Sequence, residues 1–467
     1  MATDLIKGFF RLCLNLQEPH HVARFQKLCG VRGTFPRKSA KTEESEVEPN
    51  GACVKQCTRE NTDDEGVDQK NSVLRQRKHS SLETSKQEEC SNGLLNGAAM
   101  PEEETGQPES GSKADNERDE SKGVVKPLRK NSLTGDVGQE FIIENKFLFY
   151  LFTFGTELGN EMFFIVFFPF LMWNVDAYVS RQIIVVWMLV LLIGQSTKDL
   201  IRWTRPASPP VVKVEVFYNS EYSMPSTHAM TGTALPFSLF MLTYGRWQYP
   251  FLFGLSIAVL WSVLVCVSRI YMGMHSVLEV ITGFLYSVLI LAVFQPLLDS
   301  IDQYYLDGAH AWLAIPLLHV GLGLAAFSLD TWSTSRGDTA QALSTGAGAA
   351  LGAHLNHQLG LQPDDPAAAL GLLPLAMPAA GLLDAALLGR TLARMLVGVA
   401  VLLATRAAMK TVTIPLACGV FGVPVGDVRR ARQHSGVELT YRYLVYGTVA
   451  FNCVALVPLL FGYLGLS

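Results

Sequence analysis

Charge is what this sequence has least of. Of its 467 residues, 17% are Asp, Glu, Lys or Arg and 49% are hydrophobic, whereas soluble domains carry about a quarter charged residues. The formal net charge of −4 is too small to point to nucleic acid or any other charged partner. Cysteine is sparse as well. Cys13, Cys29, Cys53, Cys57, Cys90, Cys266, Cys418 and Cys453 keep no regular spacing, so no disulfide framework is expected. Cys53 and Cys57 have neither a second pair nor a nearby His to complete four zinc ligands. No Asn-x-Ser/Thr acceptor occurs, so glycosylation marks no loop as lumenal. HExxH, EF-hand, P-loop and GxGxxG patterns are missing from any credible context, and no metal or other cofactor is expected. These absences exclude a soluble globular enzyme, a nucleic-acid-binding domain and a secreted disulfide scaffold.

What is present is apolar length. From about Phe147 to Leu466, apolar stretches of roughly 20 residues recur, the length a helix needs to cross a bilayer. They lie at 147–173, 182–200, 231–244, 251–267, 276–297 and 311–329. A Gly/Ala-rich stretch at 342–361, a Pro-broken one at 367–388, and then 392–409 and 443–466 follow, while 412–425 is too short to cross alone. The expected fold is all-α: a polytopic integral membrane helical bundle with roughly eight to ten transmembrane helices. Residues 33–140 are rich in Glu, Ser, Lys, Asn and Gly with few aromatics, so a disordered N-terminal tail is expected there. Residues 1–32 set Lys7 and Arg11 among Leu5, Ile6, Phe9, Phe10 and Leu12. That mixture is too interrupted for a signal-peptide core and compatible with an interfacial helix.

Three polar clusters interrupt the apolar sequence. The first runs from Lys198 to Arg205 and Pro206; the two cations are seven apart, on one face of a helix that Pro206 stops. Cations meeting on one face repel unless an anion bridges them. Taken alone, they could equally be the positive flank of a membrane span. The second cluster, Ser223-Met224-Pro225-Ser226-Thr227-His228, leads into an apolar helix. Its free backbone N–H groups and dipole favour an oxyanion, with His228 in the first turn as a proton donor; an ordinary N-cap reads the same way. The third places Ser268 and Arg269 at the end of one span, then Gly273 at a turn, His275, and Glu279 four residues on. A carboxylate one turn away fixes the imidazole tautomer and leaves the other ring nitrogen as a nucleophile, although a plain His–Glu pair has the same spacing.

Alternating traversal of the membrane puts all three clusters on one face. Two histidines, three cations and a helix end suited to anions together make the inventory for phosphoryl transfer without a metal.

The clusters match K-x6-RP, P-S-x-H and S-R-x5-H, and on them the chain resembles the type 2 phosphatidic acid phosphatase superfamily. The segments 155–161, 221–228 and 271–275 resemble the vertebrate sphingosine-1-phosphate phosphatases within it. The resemblance covers the membrane portion and is most specific over 147–300. It implies that His275 attacks phosphorus and becomes phosphohistidine, that His228 serves as general acid and then base, and that Glu279 orients His275. It further implies that Lys198, Arg205, Ser226, Thr227 and Arg269 hold the phosphoryl oxygens. Two positions depart from the superfamily pattern: Thr227 stands where Gly is usual, and Glu279 where Asp is usual. The implied partners are a phosphorylated sphingoid base and membrane lipids, with no nucleic acid. The domain plan is then an interfacial segment at 1–32, a tail at 33–140, a catalytic membrane core at 141–300 and additional transmembrane helices at 301–467.

Lipid recognition is the weaker part of the pattern. Glu157 and Glu161 are four apart in an apolar span, where charge is costly unless paired or facing a polar cavity. They are open either to meeting the ammonium group of a long-chain base or to a structural network. A broad lipid phosphatase acting on phosphatidate, and a transporter or scaffold without turnover, are the competing functions; the second needs the cations but not both histidines. Orientation is contested too. Arg129, Lys130 and Lys146 would make the site face cytosolic by the positive-inside rule, whereas the resemblance implies a lumenal site in the endoplasmic reticulum.

Overall fold

The computed structural model describes residues 2–34, 124–126, 141–215, 221–329, 335–361, 385–424, 426 and 434–466. By contacts the chain divides into two units, Met1–Pro36 with Ser121–Ser467, and Arg37–Glu120. The second unit, most of the expected tail at 33–140 with Cys53, Cys57, Cys90, Arg129 and Lys130, and most of the Pro-broken stretch at 367–388 lie outside the described residues, whereas Val124–Lys126, within the span expected to be disordered, is a strand.

Helices dominate, as expected. The N-terminal pair is α1 (Ala2–Gln17) and α2 (Pro19–Leu28), followed by three short strands, β1 (Val31–Gly33), β2 (Val124–Lys126) and β3 (Phe141–Ile143). The strands form an antiparallel sheet in the order β1-β3-β2, with Val31 opposite Ile143 and Val124 opposite the same residue. This sheet went unread in the sequence, because three-residue strands carry too little alternation to register. Then come α3 (Lys146–Glu157), α4 (Glu161–Asn174), α5 (Ala177–Ile201), α6 (Thr227–Thr243), α7 (Phe251–Tyr271), α8 (Val277–Phe294), α9 (Leu298–Asp307), α10 (Ala311–Phe327), α11 (Arg336–Gln358), α12 (Ala385–Phe421), α13 (Ser435–Val454) and α14 (Leu456–Tyr463).

Among the described residues, five segments are long and apolar enough to cross a membrane: Ala177–Ile201, Phe251–Tyr271, Val277–Asp307, Leu388–Phe421 and Ser435–Tyr463. Shorter apolar helices at Phe163–Asn174 and Ala311–Phe327 accompany them. The chain is a polytopic helical membrane protein. Exposed Leu260 and Val263 on α7, and Leu396 and Leu403 on α12, suit helices whose outer solvent is lipid.

Three boundaries differ from the hydropathy reading. The expected span at 147–173 is two helices, broken at Gly159-Asn160, where the Asn160 amide bonds the Glu157 carbonyl and Asn160 then precedes α4. The stretch at 392–409 and that at 412–425 as far as Phe421 belong to one helix, α12, which continues through Pro415. The Gly/Ala-rich stretch is the middle of α11, a helix largely buried within the bundle. Its small side chains let it pack closely against α13, α5 and α10.

The long helix α5 carries the site at one end and is anchored at the other. Asp176 caps its first turn, accepting from the Val179 amide at 3.2 Å. Arg181 meets Asp302 of α9 through two hydrogen bonds of 3.0 and 2.9 Å, and Gln182 donates to Asp299 at 2.7 Å. Bidentate geometry of this kind fixes orientation as well as distance, so the height of Lys198 at the far end of α5 is set by the helix itself.

The N-terminal segment is tied to the same end of the bundle as Lys198. Gln26 of α2 is buried; its Nε2 donates to the Val212 and Tyr271 carbonyls at 2.6 and 2.8 Å, and its Oε1 accepts from the Val212 amide at 3.0 Å. Replacing Gln26 by Leu keeps the volume but strips partners from two buried carbonyls and an amide. The expected loss is about 1–3 kcal/mol, read as a lower thermal unfolding midpoint in detergent; an unchanged midpoint would show the clamp to be dispensable.

Candidate active site

Each cluster sits at a helix end. Lys198 lies in the last turn of α5, and Arg202 closes that helix in the left-handed conformation, at φ 55°. Arg205 follows in the loop. Ser226 is the N-cap of α6, its Oγ accepting from the Ala229 amide at 3.4 Å, so Thr227 and His228 occupy the first turn of that helix. Arg269 lies in the last turn of α7. The chain then reverses at Gly273 (φ 70°), where an added Cβ would lie 2.2 Å from the Val212 carbonyl oxygen; only glycine fits there. His275 comes next, and Ser276 begins α8 in a reciprocal capping box with Glu279.

The three clusters converge. Lys198, Arg269 and His275 are at most 1% exposed, and the Arg205 side chain is buried as well. Lys198 Nζ donates to Thr227 Oγ1 at 3.1 Å, joining the first cluster to the second. Arg205 Nη1 donates to the Met274 carbonyl at 3.1 Å and lies 3.4 Å from His275 Nε2, joining the first to the third. The Ser226 amide donates to the Glu279 carbonyl at 3.3 Å, joining second to third.

The departures from the superfamily pattern are accommodated. Glu279 Oε2 reaches His275 Nδ1 at 2.9 Å despite its longer arm, and it also accepts from the Ser276 amide at 3.1 Å and from the Ser223 hydroxyl. The Thr227 hydroxyl, which Gly would lack, is the acceptor for Lys198.

With Nδ1 facing a carboxylate, the proton belongs there and the Nε2 lone pair faces Arg205. Burial pushes the His275 imidazolium well below its ordinary range, and Arg205, Arg269, Lys198 and His228 push it the same way. The ring is therefore neutral at neutral pH, the form in which Nε2 is nucleophilic.

Three acidic or hydroxyl residues here were not read as site residues in the sequence. Glu221 Oε2 lies 3.4 Å from Lys198 Nζ and 3.5 Å from Arg205 Nη2, and is the anion that bridges the two. Glu215 pairs with Arg269 at 2.9 Å. Ser223 holds Glu279 and lies 3.3 Å from His275 Nδ1, while its amide is fixed by the Trp203 carbonyl at 2.7 Å. Glu221 and Ser223 stand in a stretch whose resemblance was noted, but nothing in their spacing marked them. Glu157 is exposed and accepts from Asn160 at 3.2 Å, and the Glu161 side chain lies outside the described ones. Glu157 is not brought to the cations. Among the described residues, no group of three or more His, Cys, Asp or Glu side chains could hold a metal ion.

Beside His228 lies a cavity of about 70 Å³, lined by Gly159, Glu221, Thr227, Gln195, Asp338 and Gln341 among others. Gly159 gives it its shape. A Cβ there would stand 3.3 Å from the His228 ring, so the break between α3 and α4 is where the imidazole packs.

A PAP2 superfamily model matches residues 179–299, which hold all three clusters. Sphingosine-1-phosphate phosphatase 1 of Rattus norvegicus is 49% identical over 98% of both chains. The chain belongs to the sphingosine-1-phosphate phosphatase family. Sphingosine-1-phosphate phosphatase 2 of Homo sapiens is 38% identical over 73% of this chain and 84% of its own. A dihydrosphingosine 1-phosphate phosphatase of Schizosaccharomyces pombe is 30% identical over 38% of this chain and 44% of its own. No solved structure matches significantly. The protein is a multi-pass membrane phosphatase of phosphoric monoesters.

A pocket of buried cations predicts tight oxyanion binding. Orthovanadate at a hundredfold excess over its Kd should stabilise the purified protein by about 2.7 kcal/mol, seen as a raised unfolding midpoint. Lys198→Ala and Arg269→Ala should each abolish most of that rise; an undiminished shift in both would place the anion elsewhere.

Proposed function

We propose that this protein removes the phosphate of sphingosine 1-phosphate and of its dihydro and phyto relatives, through a phosphohistidine on His275. The observation that carries this reading is the convergence of His275, with Nε2 turned to Arg205 and Nδ1 held by Glu279, and three buried cations at one border of the bundle. The names of the relatives supply the substrate.

The Nε2 lone pair attacks phosphorus. The P–O bond to the lipid breaks, its electron pair stays on the departing oxygen, and His228 protonates that oxygen. His228 then takes a proton from water, which attacks the phosphorus; the P–N bond breaks and its electron pair returns to Nε2. Lys198, Arg205 and Arg269, with Ser226 and Thr227 at the start of α6, stabilise charge on the phosphoryl oxygens. Glu279 stabilises the charge that develops on His275 while the P–N bond exists. Glu215 and Glu221 occupy the cations until the substrate phosphate takes over that role.

The domain plan fits this reading, with a catalytic core at 141–300 and further helices at 301–467 that complete its walls. Purified full-length protein in detergent should release phosphate from sphingosine 1-phosphate in EDTA. His275→Ala and His228→Ala should each lose about 10³-fold or more in kcat while the unfolding midpoint is retained. Turnover surviving both substitutions would overturn the mechanism, and equal kcat/KM for phosphatidate would favour a broad lipid phosphatase.

The resemblance further supports an endoplasmic reticulum membrane with the site facing the lumen, against the count of Arg129, Lys130 and Lys146. Because Gln26 clamps the loops that carry the site, the N-terminal segment and the site share a face. A tag at the N-terminus should accordingly be protected from protease in sealed microsomes. Digestion without detergent would make the site cytosolic.

A further inference from the structure

The cavity beside His228 has polar groups that phosphoryl transfer does not use. Gln195 and Gln341 are 98% and 96% buried, both line the cavity, and the Oε1 of each has no hydrogen-bond partner. Unpaired buried amide oxygens are uncommon, and each calls for a donor. Between them is Asp338, whose Oδ2 accepts a long contact of 3.5 Å from Gln195 Nε2. Asp338 and Glu438 share one guanidinium, Arg442, at 3.3 and 3.0 Å, so two carboxylates face one cation. Elsewhere on the same cavity wall, Glu221 faces two cations, Lys198 and Arg205.

One small cavity therefore borders the cations held near Thr227 and Glu221 on one side and the Asp338 carboxylate on another. Asn160, Thr231 and His228 also line it, and the Gln195 and Gln341 amide oxygens are its acceptors without a donor. An ammonium group is three donors and no acceptor; a hydroxyl in its place brings one donor and an ester oxygen none, so at least one of the two oxygens would stay unsatisfied. Phe164, Trp187 and Leu191 complete the lining and suit the start of an alkyl chain.

We propose that Asp338, Gln341 and Gln195 form the subsite that receives the ammonium group of the substrate, and so select an amino-alcohol phosphate over a glycerol-based one. Two of the three stand on α11, beyond the residues 179–299 of the superfamily model. Specificity thus draws on α11, outside the segment that performs the reaction, together with Gln195 of α5 inside it. Glu157, one of the two acids the sequence offered for this task, is exposed and does not line the cavity.

This inference rests on the proposed substrate, and the test keeps the two apart. The full-length protein in detergent is assayed with sphingosine 1-phosphate and with lysophosphatidate, which carries a hydroxyl where the sphingoid base carries its ammonium. Failure of the wild type to turn over sphingosine 1-phosphate would sink the substrate reading itself. Given that turnover, Asp338→Asn and Gln341→Leu should each reduce the kcat/KM preference for the amine at least tenfold, mainly through KM. Hydrolysis of lysophosphatidate and the vanadate-induced rise in midpoint should stay within about threefold and unchanged, respectively. Asp338→Asn alone could disturb the Arg442 pairing, so Gln341→Leu carries the decision where the two differ. A preference unchanged in Gln341→Leu, or altered only in Glu157→Gln, overturns the assignment.

Discussion

Lys198, Arg205 and Arg269 are withdrawn from water at one border of a helical bundle, and the electrostatics of that withdrawal organises the rest. A buried ion costs several kcal/mol even after its surroundings relax, so each needs a counter-charge that its helix cannot supply. Glu221 serves Lys198 and Arg205, and Glu215 serves Arg269. The same need explains the second layer of contacts. Ser223, Ser276 and His275 all converge on Glu279, because a buried carboxylate requires its lone pairs filled. What results is an arrangement poised around an anion before any lipid arrives, and preorganisation of that kind is where electrostatic catalysis draws its strength.

The parts legible in the sequence were those fixed by spacing and parity. Lys198 and Arg205, Pro225 to His228, and Arg269 to Glu279 each encode a helix end, and an alternating path through the membrane is enough to gather them. The Glu279 side chain doubles as the reciprocal cap of α8, a local signal carried by Ser276 three residues earlier. Illegible were contacts without a period. Glu215 and Glu221 lie in a loop, and Asp338 and Gln341 come from a helix far along the chain whose Gly/Ala composition suggested only packing. The break at Gly159 was hidden by hydropathy: the aromatics on either side keep the window apolar, while the reason for the break, a close approach to His228, is tertiary.

Thr227 illustrates how a family can change one position and keep the chemistry. A threonine at a helix start is bulkier than glycine, but here its hydroxyl takes a hydrogen bond from Lys198 and its methyl lies against Gly194, where a Cβ would come within 2.9 Å. The added atoms thus fill space that a small neighbour leaves and hold a cation that would otherwise need another acceptor. Sequence comparison registers only the substitution, whereas packing shows the neighbour that makes it tolerable.

The three-stranded sheet does more than close off the N-terminal segment. Strands β1 and β2 both pair with β3, so the polypeptide leaves at Gly33 and re-enters at Val124 within the width of one small sheet. Whatever lies between is spliced into the enzyme as an insertion with fixed ends. Closing such an insertion costs only a logarithm of its length, so its length weighs little on the sheet, Gln26 and the loops they brace.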